Sequence, residues 1–269
     1  MSENGDRVND HQDDLLVMED VGKVFTVRGA TLRALDGVRL SIREGEFVSI
    51  LGQSGCGKST LLKLTAGVMP SSEGEIRIAG KRVDGPFSDL GMVFQSPVLL
   101  EWRTVFANVM LPIEILGTDR TAGADRAGAL LTMVGLAGFE RLYPTELSGG
   151  MQQRVAICRA LVTDPPLLLM DEPFGALDAL TRDVMAAELL RIWDETRKTI
   201  VFVTHSIDEA VLLSDRVVVM TPRPGRVNRV VDIDLPRPRD VDVRYGPRFV
   251  ELSQQLRDLI YQPSQERPI

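Results

Sequence analysis

The sequence predicts an α/β fold: a parallel sheet covered by helices on both faces, entered through a β-rich segment and interrupted by an α-helical lobe. Three observations predict it. Four short, almost wholly apolar runs, at Phe47 to Leu51, Leu167 to Met170, Ile200 to Val203 and Val217 to Met220, suit strands buried on both faces. Apolar residues at helical spacing lie between them, as at Leu180 to Trp193, and strands alternating with helices imply a parallel sheet. From about residue 97 to 163 the spacing is helical throughout, which marks an inserted lobe.

Each element follows from local chemistry. Leu15 to Met18, Val24 to Val27 and Val38 to Ile42 read as short strands broken by Gly22, Gly29 and Gly37. Glu44-Gly45-Glu46 reads as a turn, and Phe47 to Leu51 as the first buried strand. A glycine-rich loop follows, then a helix from Lys58 to about Ala66, ended by Gly67 and Pro70. Glu75 to Ala79 and Gly91 to Phe94 read as strands. In the lobe, helices are expected at Val105 to Leu116, Arg126 to Val134 and Met151 to Val162. Ser206-Ile-Asp-Glu209 reads as a capping box opening a helix. The C-terminal extension, about 222–262, holds a strand at Val227 to Ile233 and a helix at Phe249 to Tyr261.

Composition bounds the function. The 269 residues carry 31 Lys and Arg against 38 Asp and Glu, a formal charge of −7. Residues 1–20 hold seven acids and one base, so six of those seven charges sit at the start and the rest of the chain is nearly neutral. Residues 1–14 read as an acidic, solvated, disordered tail, and 263–269 as a second tail. No broad basic face for nucleic acid is expected. The longest run without Asp, Glu, Lys or Arg is Ala127 to Phe139, thirteen residues. A membrane span needs about 20 apolar residues. The acidic start is not a secretory signal. Two cysteines, Cys56 and Cys158, make no disulfide framework and fit a reducing compartment.

The glycine-rich loop carries chemistry. Gly52-Gln53-Ser54-Gly55-Cys56-Gly57-Lys58-Ser59 fits G-x-x-x-x-G-K-[ST] between a buried strand and a helix. Its glycines let backbone N–H groups close on phosphate oxygens, and the helix start favours an anion. Lys58 would supply charge to the β- and γ-phosphates, the Ser59 hydroxyl would be a Mg²⁺ ligand, and Thr60 would add a phosphate contact. Cys56 sits beside Lys58 and a helix N-terminus, which reads either as a reactive thiol of lowered pKa or as a small spacer. Asp171 and Glu172 end the run Leu167 to Met170, where parallel sheets bind ligands. Asp171 would hold Mg²⁺, and Glu172 would polarise the attacking water.

Leu147-Ser148-Gly149-Gly150-Met151-Gln152-Gln153-Arg154 offers a second anion-binding helix start. With the two preceding motifs it resembles the signature of ATP-binding cassette proteins, LSGGQ followed by Gln-Arg, with Met151 in place of the commoner Gln. The resemblance spans about residues 15–262. It implies a phosphate-loop NTPase core with an N-terminal antiparallel β region and an inserted α-helical lobe. It also implies ATP and Mg²⁺ as cofactors, ATPase activity, and a head-to-tail dimer. In that dimer Ser148, Gly149 and Gly150 of one copy close on the phosphate held by the other.

The same resemblance assigns the remaining positions. Phe25 matches the aromatic that stacks on adenine. Gln95, in Val93-Phe-Gln-Ser96, matches the glutamine that senses Mg²⁺ and water and links the core to the lobe. Asp178 matches the aspartate that communicates across the dimer, and His205, directly after a buried strand, matches the switch histidine at the γ-phosphate. The segment Ser96 to Val109 and the end, Arg223-Pro-Gly-Arg226, Leu235-Pro-Arg-Pro-Arg239 and Phe249, are similar to nitrate, sulfonate and taurine importers, though Glu101 replaces a frequent proline. This implies an ATP-hydrolysing importer subunit at the cytoplasmic face of the membrane. Its partners would be a second copy, separate permease subunits and, indirectly, a solute-binding protein, with Trp102, Val105 and Phe106 as exposed candidates for permease contact. An exporter subunit or a soluble ATPase outside transport are the other readings. The solute itself is not written in the motifs.

Overall fold

The alternation of buried apolar runs with helical patterns produces two sheets and a helical lobe. The computed structural model describes residues 14–27 and 29–261; the expected tails at 1–13 and 263–269 lie outside the described residues. The elements, in chain order, are β1 (Asp14–Val27), β2 (Ala30–Arg43), β3 (Phe47–Leu51), α1 (Lys58–Thr65), β4 (Glu73–Ile78), β5 (Lys81–Arg82) and β6 (Leu90–Val93). The lobe follows with α2 (Val105–Val109), α3 (Leu111–Leu116), α4 (Arg120–Met133) and α5 (Gly149–Leu161). The chain then runs through β7 (Leu167–Asp171), α6 (Ala179–Thr196), β8 (Thr199–Thr204), α7 (Ile207–Leu213), β9 (Arg216–Met220), β10 (Val227–Asp232) and α8 (Pro247–Tyr261).

One sheet has the order β10-β9-β3-β8-β7-β6 and is parallel except for β10. The other, β2-β1-β4-β5, is antiparallel. Period-two alternation splits each buried strand between two cores. Phe47, Leu51, Leu168, Met170 and Phe202 face one that includes lobe residues and α6, α7 and α8. Val48, Ile50, Leu167, Leu169 and Val201 face another shared with α1 and the antiparallel sheet. Register places Leu51 beside Thr204 and Asp171 beside Val203, so the carboxyl ends of β3, β8 and β7 finish together.

Several boundaries differ from expectation for identifiable reasons. Asp14, expected in the tail, pairs with Arg43 at the start of β1. Gly22 and Gly37 do not end strands: β1 and β2 run through them, and register shifts between Met18 and Lys23 absorb the irregularity as bulges. The single helix expected at Val105 to Leu116 is two, because Pro112 in the first turn of α3 has no N–H to continue α2. The next helix starts earlier than expected, at Arg120, because the Asp119 carboxylate accepts from the N–H groups of Thr121 and Ala122. The capping box at Ser206 is half formed: Ser206 Oγ accepts from Glu209 N, but the Glu209 carboxylate turns instead to Thr204 Oγ1.

The C-terminal extension is fastened by arginines. Arg239 is buried and donates to the carbonyls of Val211, Leu212, Ser214, Ile233 and Leu235. Burial lowers its pKa to about 10. Arg237 stacks on Trp193 at 3.9 Å and ion-pairs with Asp215 at 2.8 Å.

Beneath the strand ends, Phe202 is fully buried and meets Phe47 and Phe174 at centroid distances of 5.9 and 5.5 Å. Phe202→Ala is expected to cost about 3–5 kcal/mol, seen as a lower urea midpoint at unchanged slope. A loss below about 1 kcal/mol would show that this cluster does not anchor the sheet.

Candidate active site

The glycine loop leaves β3 and enters α1 through Gly57, whose φ of 107° belongs to glycine. A Cβ there would lie 2.7 Å from Leu35 Cδ2 and 3.1 Å from the Ala34 carbonyl oxygen. The loop therefore wraps back on itself, and Lys58, 4 % exposed, donates to the carbonyls of Gly52 at 2.9 Å and Gln53 at 3.2 Å. Its ammonium stands 3.7 Å from Glu172 Oε1. The cation is held inside its own loop by groups that a phosphate can replace.

The converging strand ends supply the acids. Ser59 Oγ donates to Asp171 Oδ1 at 2.8 Å, joining the start of α1 to the end of β7. Burial, foremost, raises the Asp171 pKa, opposed by the hydrogen bond from Ser59. Glu172 follows with φ 45°, the left-handed region, while its N–H donates to the Val203 carbonyl at 2.9 Å. This strained turn, worth about 1–3 kcal/mol, sets Glu172 Oε2 3.0 Å from His205 Nδ1, with Oε1 toward Lys58. His205 is itself exposed at the end of β8.

Phe25, Ser54, Gly55, Gly57, Lys58, Ser59, Thr60 and Glu172 line one cleft of about 250 Å³, with Leu32, Ala34 and Arg223. Gln53 is exposed, and its amide reaches the Ile260 carbonyl at the end of α8, 3.4 Å away. Gln95 is exposed, with its amide nitrogen 3.2 Å from where a Gly175 Cβ would stand, three residues beyond Glu172. Ser148, Gly149, Gly150 and Asp178 do not line the cleft. Ser148 caps α5 by accepting from Met151 N at 3.3 Å. Asp178 caps α6, accepting from Thr181 N and Oγ1 at 3.0 and 2.7 Å, and these bonds hold its pKa below the usual carboxylate value. A Cβ on Gly150 would lie 2.7 Å from Thr181 Cγ2, so the two caps adjoin on one surface.

Behind His205 stands a supporting group that the motifs do not mark. Glu209 is buried, accepts from Thr204 Oγ1 at 2.5 Å and lies 3.6 Å from Arg182 Nε. Its burial raises the pKa, and Thr204 Oγ1 also accepts from Ser206 N. The only sequence signal was Glu209 three residues after Ser206. Asn108 is also unmarked: fully buried, it bonds to Leu100, Arg103 and Thr104 and pins the segment after Gln95. Val105, expected exposed, is fully buried in the lobe core, and Phe106 packs against that core; Trp102 is 76 % exposed. Val105 therefore cannot be a permease contact.

Comparison with known proteins places this geometry. Residues 35–175 match the family model for ABC transporters. An uncharacterized ABC transporter ATP-binding protein of Methanocaldococcus jannaschii is 49 % identical over 245 residues, covering 91 % of each chain. The taurine import ATP-binding protein of Rhizobium johnstonii is 46 % identical, covering 92 % of this chain and 97 % of that one. A dimeric ATP-binding cassette in a post-hydrolysis state, bound to ADP and Pi, aligns with a TM-score of 0.72 at 34 % identity, over 82 % of this chain and 100 % of that one.

The reactive reading of Cys56 fails on burial. The thiol is 1 % exposed, and desolvation raises its pKa against the pull of Lys58. Cys158 is pushed up to about 12 by burial. In the native chain at pH 8 both thiols are expected to react with a disulfide reagent at least about tenfold slower than free cysteine, and to titrate fully on unfolding. A fast-reacting native thiol would contradict this.

Proposed function

The chain belongs to the ABC transporter family, and on that footing we propose that it is the ATP-hydrolysing subunit of an importer for a small solute of the nitrate, sulfonate or taurine kind. The observation that carries the reading is the meeting of Lys58, the Ser59–Asp171 pair and the Glu172–His205 pair at the carboxyl ends of adjacent parallel strands. Lys58 gives up its loop carbonyls to hold the β- and γ-phosphates. Phe25, in the same cleft, stacks on the adenine.

A hydroxyl and a carboxylate oxygen 2.8 Å apart are hard donors suited to Mg²⁺, which keeps its other positions for water and phosphate oxygens. Ser59 and Asp171 would hold that ion, with Gln95 near it, and it would neutralise charge on the transferring phosphoryl group. Glu172 orients the attacking water and takes its proton as the bond from the γ-phosphorus to the bridging oxygen breaks. His205, at 3.0 Å, fixes the direction of that carboxylate and faces the departing phosphate.

Ser148, Gly149 and Gly150 complete the site from a second copy, with Asp178 beside them at the shared surface. Closure of the two copies is relayed through Gln95 and the lobe to separate membrane permease subunits, where Trp102 is the exposed apolar contact. Among the described residues no helix is long and apolar enough to cross a membrane. The subunit works at the cytoplasmic face against those permeases, and a separate solute-binding protein selects the cargo.

Glu172→Gln keeps size and hydrogen-bonding shape but not basicity. It is expected to bind ATP, to lower turnover by about 10²-fold or more, and to elute as a dimer in the presence of ATP. Turnover within a few-fold of the wild type would overturn the assignment of Glu172 as base.

A further inference from the structure

Arg223-Pro224-Gly225-Arg226 forms the turn between β9 and β10, and its backbone is wedged against the phosphate loop. A Cβ on Gly225 would lie 2.0 Å from the Cys56 carbonyl oxygen, so only glycine fits. Gly225 N donates to the Ala34 carbonyl at 2.9 Å, and its own carbonyl accepts from Asp36 N at 3.1 Å. Thr221 closes the turn: its hydroxyl donates to the Pro224 carbonyl and accepts from Arg226 N. The turn is thus fixed to β2 on one side and to the loop on the other.

The two arginines of this turn have different fates. Arg226 is neutralised by Asp36, to which both Nε and Nη2 donate. Arg223 has no carboxylate partner among the described residues. Its Nε and Nη2 both donate to one neutral acceptor, the Gly55 carbonyl, at 3.2 and 3.1 Å. Its Nη1 has no partner among the described residues, and the side chain lines the same cleft as Lys58, Ser59 and Phe25. Lys58 and Arg223 are the cations of that lining, and Lys58 already faces Glu172. An unneutralised guanidinium, aligned by a rigid turn on the rim of a phosphate loop, is a donor without its acceptor.

We propose that Arg223 is a further nucleotide-contacting residue, donating through Nη1 to a phosphate oxygen of ATP while its other edge grips the loop at Gly55. The proposal rests on the nucleotide reading of the cleft. It gives the β9–β10 turn a binding role that Arg237 and Arg239, both spent on fastening the C-terminal extension, do not share.

The test titrates ATP into the full-length chain at fixed free Mg²⁺ for the wild type, Arg223→Gln and Arg223→Lys, at several salt concentrations. Arg223→Gln is expected to bind ATP about tenfold more weakly at low salt, with the gap narrowing as salt screens the wild-type contact. Arg223→Lys keeps the charge but not the planar fork that grips Gly55, so it is expected to fall between the wild type and Arg223→Gln, with a salt dependence like that of the wild type. Wild-type affinity in Arg223→Gln overturns the proposal. So does a loss of equal size at every salt concentration, which would make Arg223 a support for the loop and no more. A wild type that fails to bind ATP overturns the nucleotide reading itself, and the proposal with it.

Discussion

The register of β3, β8 and β7 is the constraint on which the rest depends. These strands are parallel, with Leu51 beside Thr204 and Asp171 beside Val203, so their carboxyl ends finish within one residue of each other. Each strand end then delivers a different chemical part: the loop with Lys58 from β3, His205 from β8, the Asp171-Glu172 pair from β7. A one-residue slip in any of them would exchange the faces of its side chains and move its functional residue away from the other two. The aromatic cluster of Phe47, Phe174 and Phe202 lies on one face of the same strands, and its packing resists such a slip.

Charge at the site is local and arranged in advance. The formal charge of −7 says little about it, because six of those charges precede residue 21. At the strand ends, Lys58 is buried against carbonyl dipoles and one carboxylate, and the burial that raises the Asp171 pKa is eased by the Ser59 hydroxyl. Both groups sit where an incoming charge of opposite sign would relieve their desolvation. The charges are therefore in place before a polyanion and a divalent ion arrive, held by loop carbonyls, Glu172 and Ser59 until the ligands take over those contacts.

The sheet, the phosphate loop and the acidic strand end were legible in the sequence because each obeys a local rule: buried strands are continuous apolar runs, and the loop needs glycine at fixed offsets. What was not legible depends on distant partners. Gly22 inside β1 reads as a breaker until Glu73 on β4 is placed beside it. Val105 and Phe106 look alike in an apolar pattern, and only the packing of the lobe shows Val105 fully enclosed. Glu209 announces a helix cap, yet its carboxylate is drawn to Thr204 because burial demands the nearest donor. Arg223 and Arg226 are equivalent in the motif and differ only through Asp36, which lies 190 residues from Arg226 along the chain.

The signature segment shows how a departure from a family pattern can be absorbed. Met151 stands where Gln is commoner, at the third residue of α5. Its contribution to the cap is the backbone N–H given to Ser148 Oγ, which any residue but proline supplies. Its side chain packs against the lobe core, where a thioether is better accommodated than an amide. The groups that face outward at this helix start, the Ser148 hydroxyl and the backbone of Gly149, are unaltered by the exchange. Ser148 lies outside the cleft that holds Lys58, so the two helix starts, at α1 and α5, sit on separate surfaces of one chain. Sequence separation within one copy is then no obstacle, because a rotation of a second copy brings unlike surfaces together in pairs, and two such pairings close without leaving either surface exposed.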